Sequence, residues 1–200
     1  MKKVILFVLF NLLLLAFVLG GVKPGGKAAP FTLLNVDGKT VSLSDYINQK
    51  GVILIFTCNT CPFTKAYEER IIQLHNTYLS IGFPVVAINS NNPQISPDDS
   101  FNQMKARAME KNYPFPYLKD DKEEVCKAYG ATRTPQVYLL EKSGDGFRVA
   151  YMGAIDDNSL DSRSVANRHL EKAIRALREG KRPDPATTRA IGCTIKTEDN

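Results

Sequence analysis

The sequence predicts an α/β fold in which helices flank a central mixed sheet and an N-terminal β-hairpin extends that sheet. Apolar, β-branched runs at 51–57 and 84–89 alternate with helix-length segments, which is typical of a mainly parallel sheet. Two later runs, 135–141 and 147–152, are separated by a short Gly-containing turn and predict an antiparallel hairpin at the sheet edge. Apolar residues make up 44% of the 200 residues, enough for one buried core.

The first predicted elements lead up to a buried strand and a long helix. In order they are strands at 30–34 and 40–43, a helical turn at 44–48, a strand at 51–57 and a helix at 62–80. The Asp37-Gly38 pair is a strong signal for a tight hairpin turn between the first two strands. The continuous apolar character of 51–57 indicates a strand covered on both faces, and Pro62 suits the first position of a helix.

The later elements alternate in the same way. In order they are a strand at 84–89, a polar stretch at 90–99, a helix at 101–111, a strand at 116–118, a helix ending at 129–130, strands at 135–141 and 147–152, and a helix at 165–178. Asp98, Asp99 and Ser100 are candidates to cap the helix at 101–111. Gly130 and Gly180 are expected to end the helices before them.

The N-terminal segment has the pattern of an export signal. Met1-Lys2-Lys3 precedes an apolar run from Val4 to Leu19, as in a secretory signal peptide, although the run is also nearly long enough to anchor the chain in a membrane. We therefore expect a periplasmic or cell-envelope protein. The predicted organisation is a signal peptide or anchor at 1–21, a spacer at 22–29, one domain at 30–180 and a tail at 181–200.

The charge of the chain gives no reason to expect a nucleic-acid partner. The net charge is +5, but four of the 26 basic residues precede Ala28, which leaves 22 basic against 21 acidic residues in the rest of the chain. No basic patch with interleaved aromatic residues stands out. The sequence contains no motif that requires a cofactor or a resident metal.

Cys58 and Cys61 form the strongest functional motif. They lie where a predicted strand ends and a helix begins, and the N–H groups at a helix N-terminus stabilise a thiolate. We expect Cys58 to be the nucleophile and Cys61, within disulfide reach, to resolve a mixed disulfide on it. The alternative is half of a zinc site, which would need two more ligands, and the chain's two histidines, His75 and His169, fall in helical patterns.

Several motifs resemble the peroxiredoxin-like branch (redoxin, alkyl-hydroperoxide-reductase/thiol-specific-antioxidant type) of the thioredoxin superfamily. They are Thr57-Cys58-Asn59-Thr60-Cys61-Pro62-Phe63, Ala87-Ile88-Asn89-Ser90-Asn91, Pro114-Phe115-Pro116-Tyr117-Leu118, Tyr129-Gly130-Ala131-Thr132-Arg133-Thr134-Pro135, Ile155-Asp156-Asp157-Asn158 and Ile191-Gly192-Cys193-Thr194-Ile195-Lys196. The resemblance implies a thioredoxin fold. It also implies a cis peptide at Thr134-Pro135, facing the cysteine pair with a backbone edge on which an extended substrate can pair.

The sequence departs from both well-known patterns of the superfamily. Where thioredoxins carry an acid before the pair, this chain has Val52, and it has no Trp. The Pro-x-x-x-Thr-x-x-Cys pattern of peroxiredoxins would place Pro at Gly51 and Thr at Ile55. Peroxidase chemistry also needs an Arg, and we expect Arg133 either to tune the field near the site or to face solvent.

The other two cysteines have different expected roles. Cys126 falls in a helical pattern and is expected to be a small core residue. Cys193 lies in the tail between Ile191 and Ile195. One hypothesis is that the tail docks over the site and Cys193 is a third redox thiol. The alternative is a structural or incidental thiol.

The leading functional hypothesis is an extracytoplasmic thiol–disulfide oxidoreductase that uses the Cys58/Cys61 dithiol. The first alternative is a peroxiredoxin-like thiol peroxidase, with Cys58 oxidised to a sulfenic acid. A further alternative is a non-enzymatic copper-handling module. The expected partners are a protein or small-molecule disulfide or peroxide and an electron-donating reductant, with membrane contact only through an uncleaved leader.

Overall fold

The structure, a computed structural model, describes residues 21–199. Residues 1–20 of the predicted signal peptide or anchor lie outside this range, so that assignment stays a prediction. Within the described range no helix has the length and apolar character needed to cross a membrane.

A seven-stranded mixed sheet forms the centre of the molecule. The described strands are β1 (Thr32–Asn35), β2 (Thr40–Ser42), β3 (Gly51–Phe56), β4 (Val85–Asn89), β5 (Tyr117–Lys119), β6 (Arg133–Thr134), β7 (Gln136–Ser143), β8 (Gly146–Gly153) and β9 (Cys193–Thr194). The order in the sheet is β2-β1-β5-β4-β3-β7-β8, while β6 and β9 form a separate two-stranded sheet. Strands β3, β4 and β5 are parallel, and the β7–β8 and β1–β2 hairpins pair antiparallel on either side. The predicted mixed sheet and both hairpins are confirmed.

Four described helices cover the two faces of the sheet. They are α1 (Pro62–Tyr78), α2 (Phe101–Lys111), α3 (Glu124–Tyr129) and α4 (His169–Arg178). Because side chains alternate along a strand, Ile53 and Ile55 pack with α1, α2 and α4, whereas Leu54 and Phe56 pack on the α3 side. These side chains are fully buried, and each buried side chain of this size contributes about 1.5–3 kcal/mol. Strand β3 is therefore held on both faces.

Helix α4 begins later than the sequence predicts. The pattern predicts a helix from residue 165, but the helix begins at His169 and residues 162–164 form a separate short turn. The carboxylate of Asp157 accepts hydrogen bonds from the Ala166 N–H at 3.0 Å and the Asn167 side chain at 2.9 Å. These bonds hold the preceding chain in a loop, since a side-chain acceptor competes with helical bonds.

The tail is ordered along the sheet edge and then crosses to the β3 end of the sheet. Met152 of β8 exchanges backbone hydrogen bonds with the chain at Ala186 and Thr188, both at 3.0 Å. Farther on, β9 pairs antiparallel with β6, and Ile195 enters the core on the α3 side. The tail, for which the sequence predicted no secondary structure, is thus packed against the domain.

Candidate functional site

The cysteine motif lies at the predicted strand-to-helix junction. Strand β3 ends at Phe56, helix α1 begins at Pro62, and Cys61 is the residue that caps the helix N-terminus. Pro62 lacks an N–H group, which suits a position where that group would have no helical partner. The first turn of α1 carries no acidic residue, so no carboxylate in that turn opposes a thiolate there.

The structure brings three cysteines together and leaves the fourth in the core. Cys61 and Cys193 are joined by a disulfide, with their Cα atoms 5.9 Å apart, while Cys58 and Cys126 are free buried thiols. Burial raises the pKa of the Cys126 thiol to about 11, and its sulfur donates to the Glu123 carbonyl. In the structure the tail is docked over the site, as one of the two hypotheses from the sequence proposed. The bonded partner of Cys61 here is Cys193.

The Cys58 sulfur is enclosed beside two hydroxyl groups. The Thr134 Oγ1 lies 3.3 Å from the sulfur and the Thr64 Oγ1 lies 3.9 Å from it. The single Thr64 hydroxyl proton is directed to the carbonyl oxygens of Cys58 and Cys61, both at 2.8 Å. Thr134 is therefore the hydroxyl that can donate to a Cys58 thiolate. Ile55, where the peroxiredoxin pattern has its Thr, is buried in β3.

The Thr134-Pro135 peptide is cis, as the resemblance implied. The backbone edge at this bond is occupied by the chain's own tail, because Thr134 pairs with Cys193 and Arg133 pairs with Thr194. A Cβ atom at Gly192 would overlap the Thr134 carbonyl oxygen, so a glycine is needed where the tail passes this edge. In this structure the predicted substrate-facing edge is covered.

Arg133 is directed to the tail. Its side chain is exposed, and Nη1 donates to the Thr194 Oγ1 at 2.6 Å. From the sequence, Arg133 was expected either to tune the electrostatic field at the site or to face solvent. The structure gives it a contact that neither interpretation contained, a hydrogen bond that ties β6 to β9.

Asp99 is a site residue whose role the sequence did not reveal. Its fully buried carboxylate accepts hydrogen bonds from the Asn59 N–H at 2.6 Å and the Thr60 hydroxyl at 3.0 Å, between the two cysteines. Burial would raise the pKa of Asp99, but hydrogen bonds, first from Ser96 and Asn91, hold the pKa below its ordinary value. The sequence makes Asp99 a candidate cap of α2, whereas the N-cap residue is Ser100.

Asn59 is fixed from three sides. Its side-chain nitrogen donates to the Asp98 carbonyl oxygen at 2.8 Å, and its side-chain oxygen accepts from the Tyr117 hydroxyl at 2.9 Å. Asn89 donates in turn to the Tyr117 hydroxyl at 3.1 Å. With the backbone bond to Asp99, these contacts preset the loop that carries the cysteines. The signal in the sequence was the polar stretch at 90–99, directly after the apolar strand at 84–89.

The other positions singled out from the sequence lie as follows. Val52 is fully buried in β3, so no carboxylate stands at the place of the thioredoxin acid. His75 lies in the last turn of α1 and its Nδ1 accepts from the Val85 N–H, which commits that nitrogen away from the cysteines. Within residues 21–199 no group of three or more His, Cys, Asp or Glu side chains is placed to hold a metal ion.

A mixed sheet with a thiol and a disulfide gathered at the end of its central strand defines a thioredoxin-fold protein with a cysteine cluster. The AhpC/TSA family model matches residues 24–146, and the chain belongs to this family. The fold is shared with an uncharacterized conserved protein from Geobacillus kaustophilus, with a TM-score of 0.80 and 36% sequence identity. That match covers 91% of this chain and 94% of the other.

The chain is similar to curated relatives of two functional groups. The chain is 27% identical to the thiol-disulfide oxidoreductase ResA of Geobacillus thermodenitrificans, over 62% of this chain and 66% of that protein. It is 32% identical to the chloroplastic peroxiredoxin Q of Triticum aestivum, over 64% of this chain and 58% of that protein. The chain thus spans just under two thirds of the first relative and less of the second.

Proposed function

We propose that this protein is a thiol–disulfide oxidoreductase that acts outside the cytoplasm, with Cys58 as nucleophile and Cys61 as resolving thiol. The observation that carries the proposal is the arrangement of the two motif cysteines. The Cys58 thiol lies beside the Thr134 hydroxyl, and Cys61, at the N-cap position of helix α1, takes part in a disulfide. The similarity to ResA supports the same reaction class.

The proposed reaction is a pair of thiol–disulfide exchanges. The Cys58 thiolate attacks one sulfur of a substrate disulfide, forms a mixed disulfide and releases the first substrate thiolate. The Cys61 thiolate then attacks the Cys58 sulfur, which forms a Cys58–Cys61 disulfide and releases the second substrate thiolate. Two electrons pass from the chain to the substrate, and the released thiolates take up protons from solvent. An external dithiol returns the two electrons.

The proposed location outside the cytoplasm rests on the N-terminal sequence. Residues 1–21 have the charged start and apolar run of an export signal. The substrate is then an exported protein or small-molecule disulfide, and the reductant is a dithiol of the same compartment.

A thiol peroxidase is the second candidate, because the Cys58 sulfur is almost closed off from solvent and faces the Thr134 hydroxyl. A thiol as buried as Cys58 suits a substrate as small as hydrogen peroxide. The thiolate would become a sulfenic acid with release of water, and Cys61 would condense with it to a disulfide, releasing a second water. The similarity to peroxiredoxin Q favours this candidate, whereas the bond from Arg133 to Thr194 directs the Arg133 side chain to the tail.

Two parallel assays on the full chain separate these candidates. One follows the reduction of insulin disulfides and the other follows hydrogen peroxide consumption, both with dithiothreitol as donor. We expect insulin reduction in the wild type and a loss of roughly a hundredfold or more in Cys58→Ser, because the serine hydroxyl is a far weaker nucleophile than a thiolate. Cys61→Ser should accumulate a mixed disulfide on Cys58, visible by mass spectrometry.

The matched control is Cys126→Ser, which changes the free thiol outside the site and should keep the wild-type rates. Insulin reduction that survives Cys58→Ser would refute the assignment of the nucleophile. Rapid peroxide turnover without insulin reduction would replace the first candidate with the second.

A further inference from the structure

We propose, on the basis of the function proposed above, that Cys193 is a third catalytic thiol. It takes the disulfide from the Cys58–Cys61 pair, and the external reductant enters the cycle at Cys193. The tail that carries Cys193 acts in this relay as a fixed part of the site.

The Cys61–Cys193 disulfide gives Cys193 a part in the reaction proposed for the pair. While Cys61 is bonded to Cys193, it has no thiol with which to resolve a mixed disulfide on Cys58. A permanent Cys61–Cys193 bond would therefore leave the nucleophile without a resolving partner. For the pair to turn over, this bond must form and break in each cycle.

The tail is docked by contacts that do not need the disulfide. Ile195 is 1% exposed, and its N–H donates to the Thr132 carbonyl at 3.1 Å. The Lys196 carbonyl accepts from the Asn92 N–H at 2.7 Å, and the Lys196 N–H donates to the Asn91 side chain at 2.9 Å. These bonds hold Cys193 beside Cys61 in the reduced chain as well, so exchange between the two is intramolecular and has a high effective concentration.

The burial of the three cysteines assigns them to different partners. Cys58 is 5% exposed and Cys61 is 2% exposed, whereas Cys193 is only half-buried in β9. Of the two bonded cysteines, Cys193 is therefore the more accessible, and a reductant thiol attacks the Cys61–Cys193 bond at Cys193. Cys61 lies between the other two, linked to Cys58 by the motif spacing and to Cys193 by the bond.

The transfer step balances within the chain. The Cys193 thiolate attacks the Cys61 sulfur of the Cys58–Cys61 disulfide, forms the Cys61–Cys193 bond and displaces the Cys58 thiolate, which accepts the Thr134 hydrogen bond. An external thiol then attacks Cys193, forms a mixed disulfide there and releases Cys61 as a thiol. A second external thiol completes the reduction. The chain returns to three thiols, and two electrons have entered from the reductant.

The first test maps the disulfides of the full chain after one oxidation. Reduced protein is mixed with one equivalent of hydrogen peroxide or of oxidised glutathione, quenched with acid and analysed by peptide mass spectrometry. We expect Cys61–Cys193 in the wild type and Cys58–Cys61 in Cys193→Ser. Treatment of the oxidised wild type with reduced glutathione should place the glutathionyl group on Cys193. Oxidised wild type that contains only Cys58–Cys61, or an adduct on Cys58 or Cys61, would overturn the relay.

The second test separates failure of the relay from failure of the function proposed for the pair. In a single turnover without a donor, reduced wild-type protein should release substrate thiol, because the first two exchanges need only Cys58 and Cys61. With glutathione as donor, the steady-state rate of Cys193→Ser should fall by roughly tenfold or more below that of the wild type, because an intramolecular step is lost. A normal steady-state rate would reject the relay alone, whereas an inactive single turnover in the wild type would reject the function of the pair.

A second variant guards against a folding defect in Cys193→Ser. Gly192→Ala keeps all cysteines but introduces a Cβ that overlaps the Thr134 carbonyl, so it should weaken Cys61–Cys193 formation and slow steady-state turnover in the same way. Gly146→Ala, in the β7–β8 turn, has nothing within 4 Å of the added Cβ and serves as the control. Wild-type behaviour of both glycine variants would contradict the close passage of the tail.

Discussion

At the scale of single residues, Asp99 fixes the shape of the loop between the two motif cysteines. Its carboxylate accepts five hydrogen bonds, from Asn59, Thr60, Asn89, Asn91 and Ser96. A buried carboxylate is tolerated when such bonds satisfy its oxygens, and here all five donors are neutral. The residue therefore acts as an anionic centre around which the β4–α2 loop and the cysteine loop are assembled.

Asp99→Asn should destabilise the protein by about 2–4 kcal/mol, because the new amide presents N–H groups to donors that need an acceptor. Urea unfolding followed by circular dichroism measures the change. Asp98→Asn is the matched control, since the Asp98 side chain is exposed and only its backbone carbonyl contacts Asn59. Equal stability of the two variants would show that the Asp99 bonds contribute little.

The stability difference between wild type and Asp99→Asn should depend on pH. The pKa of Asp99 is lowered in the folded chain, so its stabilising contribution is fully present above the unfolded value and is lost as the pH falls through the folded value. The difference in unfolding free energy between wild type and Asp99→Asn should be constant above about pH 5 and shrink below about pH 4. A difference that grew on acidification would contradict the direction of the shift.

The sequence could identify the cysteines but not the residues that hold them. Cys58, Cys61 and Pro62 are recognisable because strand, motif and helix start follow one another in the chain. Asp99 and Tyr117 reach Asn59 from sequence separations of 40 and 58 residues. No local pattern encodes contacts of that range, and an acid just before a helix is more simply interpreted as a cap.

At the scale of elements, β9 depends on one apolar side chain more than on its two-residue ladder. Ile195, just after β9, packs in the core cluster with Val125 of α3 and Phe56 of β3. An isolated two-stranded ribbon is marginally stable in water, so the buried Ile195 side chain supplies most of the stabilisation of β9. Docking of the tail is therefore chiefly a packing effect.

Ile195→Ala should lower the unfolding free energy by about 2–5 kcal/mol, since it leaves a cavity in a closed core. Ile191→Ala, four residues earlier in the same tail, removes the same atoms from a side chain that is 54% exposed and should change stability by less than about 0.5 kcal/mol. Chemical denaturation of both variants under reducing conditions gives the comparison. Equal losses, or none in either, would mean that the tail is not packed as described.

The elements of the main sheet were predictable, whereas those of the tail were not. Strands β3 and β4 are apolar over their whole length because they are covered on both faces, and this leaves a clear pattern. Strand β9 has only two residues and pairs with a strand about 60 residues earlier, so it has neither alternation nor a hairpin turn to indicate it. The sequence supported docking of the tail only as one of two hypotheses.

At the scale of the whole molecule, the Cys61–Cys193 bond closes a loop that spans 132 residues of sequence separation. This loop contains the larger part of the main sheet and all four described helices. A cross-link over so long a loop restricts the unfolded chain strongly. The redox state of the site is therefore coupled to the stability of the entire domain.

Reduction of the protein should lower its unfolding free energy by about 2–4 kcal/mol. For a chain of this size the melting temperature then falls by about 5–15 °C. Differential scanning calorimetry with and without dithiothreitol measures the shift. Cys126→Ser should retain the shift and Cys193→Ser should lose it. The same melting temperature for oxidised and reduced wild type would exclude a Cys61–Cys193 bond in solution.

The order in which the chain is made has a consequence for the site. Every strand of the main sheet precedes residue 154, but the strand that completes the cysteine centre is Cys193–Thr194. Synthesis proceeds from the N-terminus, so Cys58 and Cys61 are present, and the sheet around them can form, before Cys193 is added. A nascent chain therefore holds a two-cysteine centre that becomes a three-cysteine centre only after Cys193 has been added.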